Sequence, residues 1–207
     1  MLKQAIAAGH DVTAVARNPQ ALASTSARVI TADFAATGPA ALQPAIDGAD
    51  AVLSALGARS KAGAGVACQG TRAITQAMVF AGVRRIVVVS AAPVGTVPSP
   101  GRPKPPKHDP GGGFLMRNQA NPLLRSSQRE DYADLARMKD VLRASDLDWT
   151  VVRPVRLTNK PVTGKYRTVF GPNVRHGVFI SRADVAHYML RVLDQPETFS
   201  LTVVIAN

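Results

Sequence analysis

Few side chains in this 207-residue sequence have the type and spacing to do chemistry. Tyr132 and Lys139 are a phenol and an amine in one predicted helix, and a lysine beside a tyrosine lowers its pKa enough for proton exchange near neutral pH. Here position 136 is Ala136, and Lys139 stands seven residues on. That puts the pair almost two turns apart, about 10 Å along the axis, and predicts no working dyad. Ser90 has no GxSxG context, which removes a hydrolase nucleophile. Ser90 and Tyr132 stay as the candidates for catalysis. His10, His108, His176 and His187 form no spaced metal pair, so core or surface roles are the default and no metal is expected. Cys68 is the single cysteine, which excludes an internal disulfide and a cysteine-rich metal site and fits a reducing cytoplasm.

The elements that must position such groups begin at Leu2. Leu2, Ala5, Ile6 and Gly9 fall at helical spacing, Gly9 stands where a helix end wants a left-handed residue, and Val12 to Ala16 run apolar up to Arg17-Asn18-Pro19. Helix, turn and strand in that order match the second half of a first βαβ unit in a doubly wound nucleotide-binding fold. Arg17 then ends the second strand of such a fold, where an acidic residue binds the ribose of NAD and an Arg takes the 2′-phosphate of NADP. A solvated strand-end Arg is the competing reading.

A short helix after Pro19, a strand over Ala27–Thr31 running to Asp33, a helix over Pro39–Gly48 and a buried strand over Ala51–Leu56 follow. Gly65 to Ala81 is the longest predicted helix. Arg85 to Ser90 is the most β-branched run and predicts a central strand covered on both faces. Strands alternating with helices predict a parallel sheet with helices on both sides. From Ala91 to about Gln128 the chain is rich in Pro, Gly and basic residues, and it reads as a partly mobile flap, about 93–128, leaving the carboxyl end of a central strand. A helix over Asp131–Ser145, a strand over Trp149–Val152 stopped by Arg153-Pro154, an irregular part around Thr163–Tyr166, a helix capped by Ser181 and a strand over Leu201–Ile205 complete it. No linker divides the chain, so 1–207 reads as one domain.

Composition sets the remaining bounds. No apolar run reaches the roughly 20 residues that span a bilayer, and no signal peptide is recognisable, so no membrane partner is expected. The formal charge of +11 is the outlier. Its basic residues are scattered, with little aromatic interleaving to stack on bases, which weighs against nucleic acid and for a phosphorylated small molecule.

The segments GHDVTAVARNP, DGADAVLSALG, AGVRRIVVVSAAPVG, LRASDLDWTVVRP and ISRADVAHYML together resemble the atypical short-chain dehydrogenase/reductase family of NAD(P)H-binding proteins, the group with NmrA-like proteins and biliverdin reductase B-like flavin reductases. The resemblance implies a Rossmann-like α/β fold and NADP as cofactor. It implies Arg17 and Asn18 at the 2′-phosphate, Asp33 near the adenine, Leu56 and Gly57 along the cofactor, Ser90 and Ala91 facing the nicotinamide, and Arg153, Pro154 and Val155 beside it. It also implies an N-terminal strand and a GxxGxxG turn ahead of Leu2, absent from this sequence. We therefore expect a truncated gene model or late-called start, and a sheet whose strands at Val12 and Val52 lack their shared neighbour. The expected function is hydride transfer from NADPH to a small planar acceptor of flavin or quinone type, as monomer or homodimer. A non-catalytic NADP-sensing NmrA-like regulator is the alternative, ahead of a nucleic-acid binder or a sugar epimerase.

Overall fold

In the computed structural model, which describes residues 1–22, 25–58, 63–109 and 129–207, the first apolar stretch folds as its spacing predicts. Helix α1 (Leu2–Ala7) ends at Gly9 with φ of 85°, and strand β1 (Thr13–Ala16) follows. Strand β2 (Arg28–Thr31), helix α2 (Pro39–Ile46) and strand β3 (Ala51–Ser54) come next. Helix α3 (Val66–Ala81) leads into strand β4 (Arg85–Val89), and helix α4 (Arg129–Arg143) into strand β5 (Asp148–Pro154). The remainder comprises β6 (Arg156–Thr158), β7 (Arg167–Phe170), β8 (Phe179–Ser181), helix α5 (Arg182–Arg191) and β9 (Leu201–Ala206).

The main sheet has the order β3-β4-β5-β9-β7, and its first four strands are parallel. Strand β4 shows why its run of β-branched residues belongs in the middle. Ile86 and Val88 point into a core shared with Leu42 of α2, Ile74 and Met78 of α3, and Met138 and Leu142 of α4. Val87 points the other way, toward Val185 and Met189 of α5 and Val203 and Ile205 of β9. Helices thus cover both faces. Helix α1 joins the α5 side, where Gln4 Nε2 donates to the Ala183 carbonyl at 3.0 Å.

Three strands depart from the sequence reading. β7 pairs antiparallel with β9 as the edge of the otherwise parallel sheet, and β6 pairs with β8 in a small separate ladder, within the stretch read as irregular. They are three or four residues long and mostly exposed, so they carry no apolar run to mark them. Tertiary pairing alone defines them. The expected long flap begins with a 3-10 helix over Ala92–Thr96, followed by a tight Ser99–Arg102 bridge; its part from 110 to 128 lies outside the described residues.

The break in the sheet falls where it was expected. β1 pairs with β2 alone and β3 with β4 alone, so among the described residues no strand is hydrogen-bonded between β1 and β3. Both strands nevertheless border one core, through Val15 and Val52. No helix among the described residues is long and apolar enough to cross a membrane.

Candidate functional site

Parallel strands end on one side, and the loops leaving them gather the residues singled out in the sequence. Arg17 and Asn18 follow β1, Asp33 follows β2, Leu56 and Gly57 follow β3, Ser90 and Ala91 follow β4, and Arg153 and Pro154 end β5. The two halves of this edge are tied together on α3. A Cβ added at Gly70 would lie 2.6 Å from Leu56 Cδ1 and 3.1 Å from Phe34 Cβ, so only glycine lets the β2 and β3 loops meet the helix there.

At the first half, Arg17 is exposed. Asn18 Oδ1 accepts from Gln20 N at 3.2 Å and starts the 3-10 turn at Pro19–Leu22. Asp33 Oδ1 accepts from Ala35 N at 3.1 Å, and its carbonyl accepts from Ala36 and Thr37, which turns the chain toward α2. Gly57 is exposed.

The second half is buried. Ser90 N donates to the Val152 carbonyl at 2.8 Å, and Ser90 Oγ is buried without a hydrogen-bond partner among the described residues. Arg153 lies in a net of carbonyls, donating to Ala91 at 3.2 Å, to Gly171 at 3.1 Å and to Ala92. Its counter-ion is Asp109 at 2.8 Å. Pro154 and Val155 are buried, Val155 within the second core. Tyr132 is half-buried near the start of α4, and burial, then Asp131, holds its hydroxyl above the ordinary phenol range.

Lys139 shows what the sequence reading missed. Read only as a failed partner for Tyr132, it is 5% exposed beneath the Ala92–Thr96 turn side of α4, and burial followed by Arg153, Arg143 and Arg102 brings its amine down to about 7. A lysine on the apolar face of a helix was the available signal.

Asp134, at the same face, was missed as well. Its carboxylate accepts from Ala67 N at 2.9 Å and Cys68 N at 3.2 Å. It thereby caps α3, whose first free amides would otherwise be a place for an anion. The glycines before α3 therefore read as a connection. Replacing Asp134 by Ala should lower stability by about 2 kcal/mol, seen as a lower urea midpoint with unchanged slope.

Two of the histidines lie elsewhere, beside α1. His10 and His187 line a hollow of about 470 Å³ beside α1, and His187 Nδ1 is 2.8 Å from Tyr166 Oη. Among the described residues no three of His, Cys, Asp and Glu gather as metal ligands.

A dinucleotide can be tested against these groups. A solvent-facing guanidinium beside a strand end suits a 2′-phosphate, and a buried hydroxyl lacking a partner at the β4 end suits a ring amide. For the pyrophosphate, the start of α3 is already filled by Asp134.

Comparison with known proteins agrees with the fold. The chain is 28% identical over 145 residues to UPF0659 protein C216.03 of Schizosaccharomyces pombe, covering 68% of this chain and 55% of that protein. It thus spans little more than half the length of that curated relative. A short-chain dehydrogenase/reductase of Veillonella parvula, solved in complex with NADP, superposes with a TM-score of 0.72 at 18% identity, covering 100% of this chain and 88% of that one. ChuY of Escherichia coli O157:H7, described as an anaerobilin reductase, gives 0.70 at 20% identity over 99% of this chain and 88% of its own. At such identities these likenesses speak for the Rossmann fold. The model of the NAD(P)H-binding family matches residues 1–196, and the chain belongs to that family.

Proposed function

We propose that the protein is an NADPH-dependent reductase passing hydride to a small planar acceptor of flavin or quinone type. The observation that carries this reading is the gathering of five strand-end loops, with an exposed cation after β1 and buried polar groups after β4 and β5. Arg17 and Asn18 would hold the 2′-phosphate, Asp33 would lie near the adenine, and Leu56 and Gly57 along the middle. Ser90 and Ala91 would face the nicotinamide, with Arg153, Pro154 and Val155 behind it. NADPH supplies the hydride when bound. Tyr132, its pKa raised, stays protonated at neutral pH and can donate a hydrogen bond but not act as a base. The acceptor then takes its proton from solvent, and the protein mainly aligns two rings.

Cofactor binding on this reading also needs a strand and a glycine-rich turn in the space between β1 and β3, within one domain over 1–207. Dinucleotide affinity of this chain, compared with one extended through such a strand, tests that condition. The acceptor is a small molecule, the assembly a monomer or homodimer, and the compartment the cytoplasm.

Absorbance at the NADPH band, followed with FMN and several quinones, tests the activity. Binding without turnover on any of them would instead support an NADP-sensing regulator. One observation favours that second reading: Lys139 stands seven residues beyond Tyr132, almost two helical turns on, and lies among the like charges of Arg153, Arg143 and Arg102. On either reading Arg17→Ala should weaken NADPH binding about 10- to 100-fold and leave NADH nearly unchanged, measured by titration.

A further inference from the structure

Arg153 is 2% exposed, and the way it is held is unusual for a buried cation. Three of its hydrogen bonds go to the carbonyls of Ala91, Ala92 and Gly171, which belong to the strand β4 exit and the β7 exit. These partners fix the guanidinium whether or not a counter-ion is there. Its charge is balanced by Asp109 alone among the described residues, through Oδ2 at 2.8 Å. The other nearby carboxylate, Asp140, is occupied by Ser99 Oγ at 3.1 Å, Gly101 N at 2.9 Å and Arg143 at 3.2 Å. Around Arg153 the remaining charges, Lys139 and Arg102, are of its own sign.

Asp109 reaches this place from a segment that is mostly exposed. Residues 97–102 are anchored by Asp140, but 103–108 are mostly exposed, with Pro103, Lys104, Pro106, Lys107 and His108 on the surface. Beyond Arg153, Asp109 holds only Asn173 N among the described residues, at 2.8 Å. Among the described residues, lifting it breaks the contacts to Arg153 and Asn173 and leaves a buried guanidinium without an anion, beside Ser90 Oγ and Asn173 Oδ1, both buried and without a partner there.

We propose that Asp109 stands in for the carboxylate of an anionic acceptor, which takes its place on Arg153 when residues 103–109 lift. This rests on the reading of the β4 and β5 ends as the acceptor side, and it narrows the acceptor to carboxylate-bearing compounds. Asp109 is thus an internal competitor whose removal opens the site.

Asp109→Asn keeps the bond to Asn173 N and removes the charge. Its melting temperature should rise by about 3 °C in 0.1 M sodium acetate over sodium chloride of equal ionic strength, while the wild type shows no difference. Asp109→Ala gives the second variant, because it removes the charge and also empties the space that the carboxylate fills beside Arg153. It should show the same acetate preference. In turnover, Asp109→Asn should lower KM about 10-fold for a quinone bearing a carboxylate and leave its methyl ester unchanged. If acetate and chloride act alike on both variants, Asp109 is only a structural tie and the proposal falls, even with turnover intact. If acetate stabilises the variants while no acceptor is reduced, the anion site stands and the reductase reading falls.

Discussion

Lys139→Met should stabilise the protein at neutral pH by about 2 to 4 kcal/mol, an unusual sign for a change at a buried position. Lys139 is 5% exposed and titrates near 7 in the folded chain, against an ordinary 10.5. Between those values the unfolded chain binds a proton that the native state lacks, so this group makes stability rise with pH from about 7 to 10.5 and contributes no slope below 7. Methionine fills a similar volume and does not titrate. Urea melts at pH 7 and pH 9.5 check this: the variant should be the more stable at pH 7, and the difference should shrink at pH 9.5. Equal differences at both values would mean that packing, not charge, sets the effect.

Arg85→Met should have the opposite sign and cost roughly 3 to 4 kcal/mol. Arg85 is as buried as Lys139, but its surroundings accept rather than repel. Its guanidinium donates to the Asp148 carbonyl at 2.7 Å, the Val192 carbonyl at 2.5 Å and the Leu193 carbonyl at 3.0 Å, and to Thr150 Oγ1 at 2.9 Å. Two of those carbonyls close helix α5, where the helix dipole favours a cation, and the Phe199 ring lies 4.5 Å away. Methionine would leave these oxygens buried and unpaired. The single tryptophan, Trp149, sits beside this net on β5 and reports the loss as an earlier fluorescence transition in urea.

These two cations show where reading the sequence succeeds and where it stops. The alternation of apolar runs and glycine-ended helices gave the strand order from β1 to β5 because burial on both faces leaves a continuous apolar signal, as at Arg85–Val89. The short strands β6, β7 and β8 left none, since they are only three or four residues long and their partners lie 20 to 40 residues away in sequence. The strand-end residues were legible as positions, for a parallel sheet fixes where its loops gather. Their roles were not, because whether Arg153 meets a ligand or Asp109 depends on how a Pro-rich segment folds back across 44 residues. Nor could spacing tell that Asp134 reaches Ala67 on another helix. Nor does charge composition tell that two of the cations, Arg85 and Arg153, are buried.

The remaining positive charge bears on how copies of the molecule behave toward each other. Among the described residues no strand pairs with the facing edges of β1 and β3. A net charge of +11 keeps copies apart when the solution is dilute in salt. At an ionic strength near 0.1 M that repulsion reaches only about 10 Å, so colloidal stability is tied to the buffer as much as to the fold.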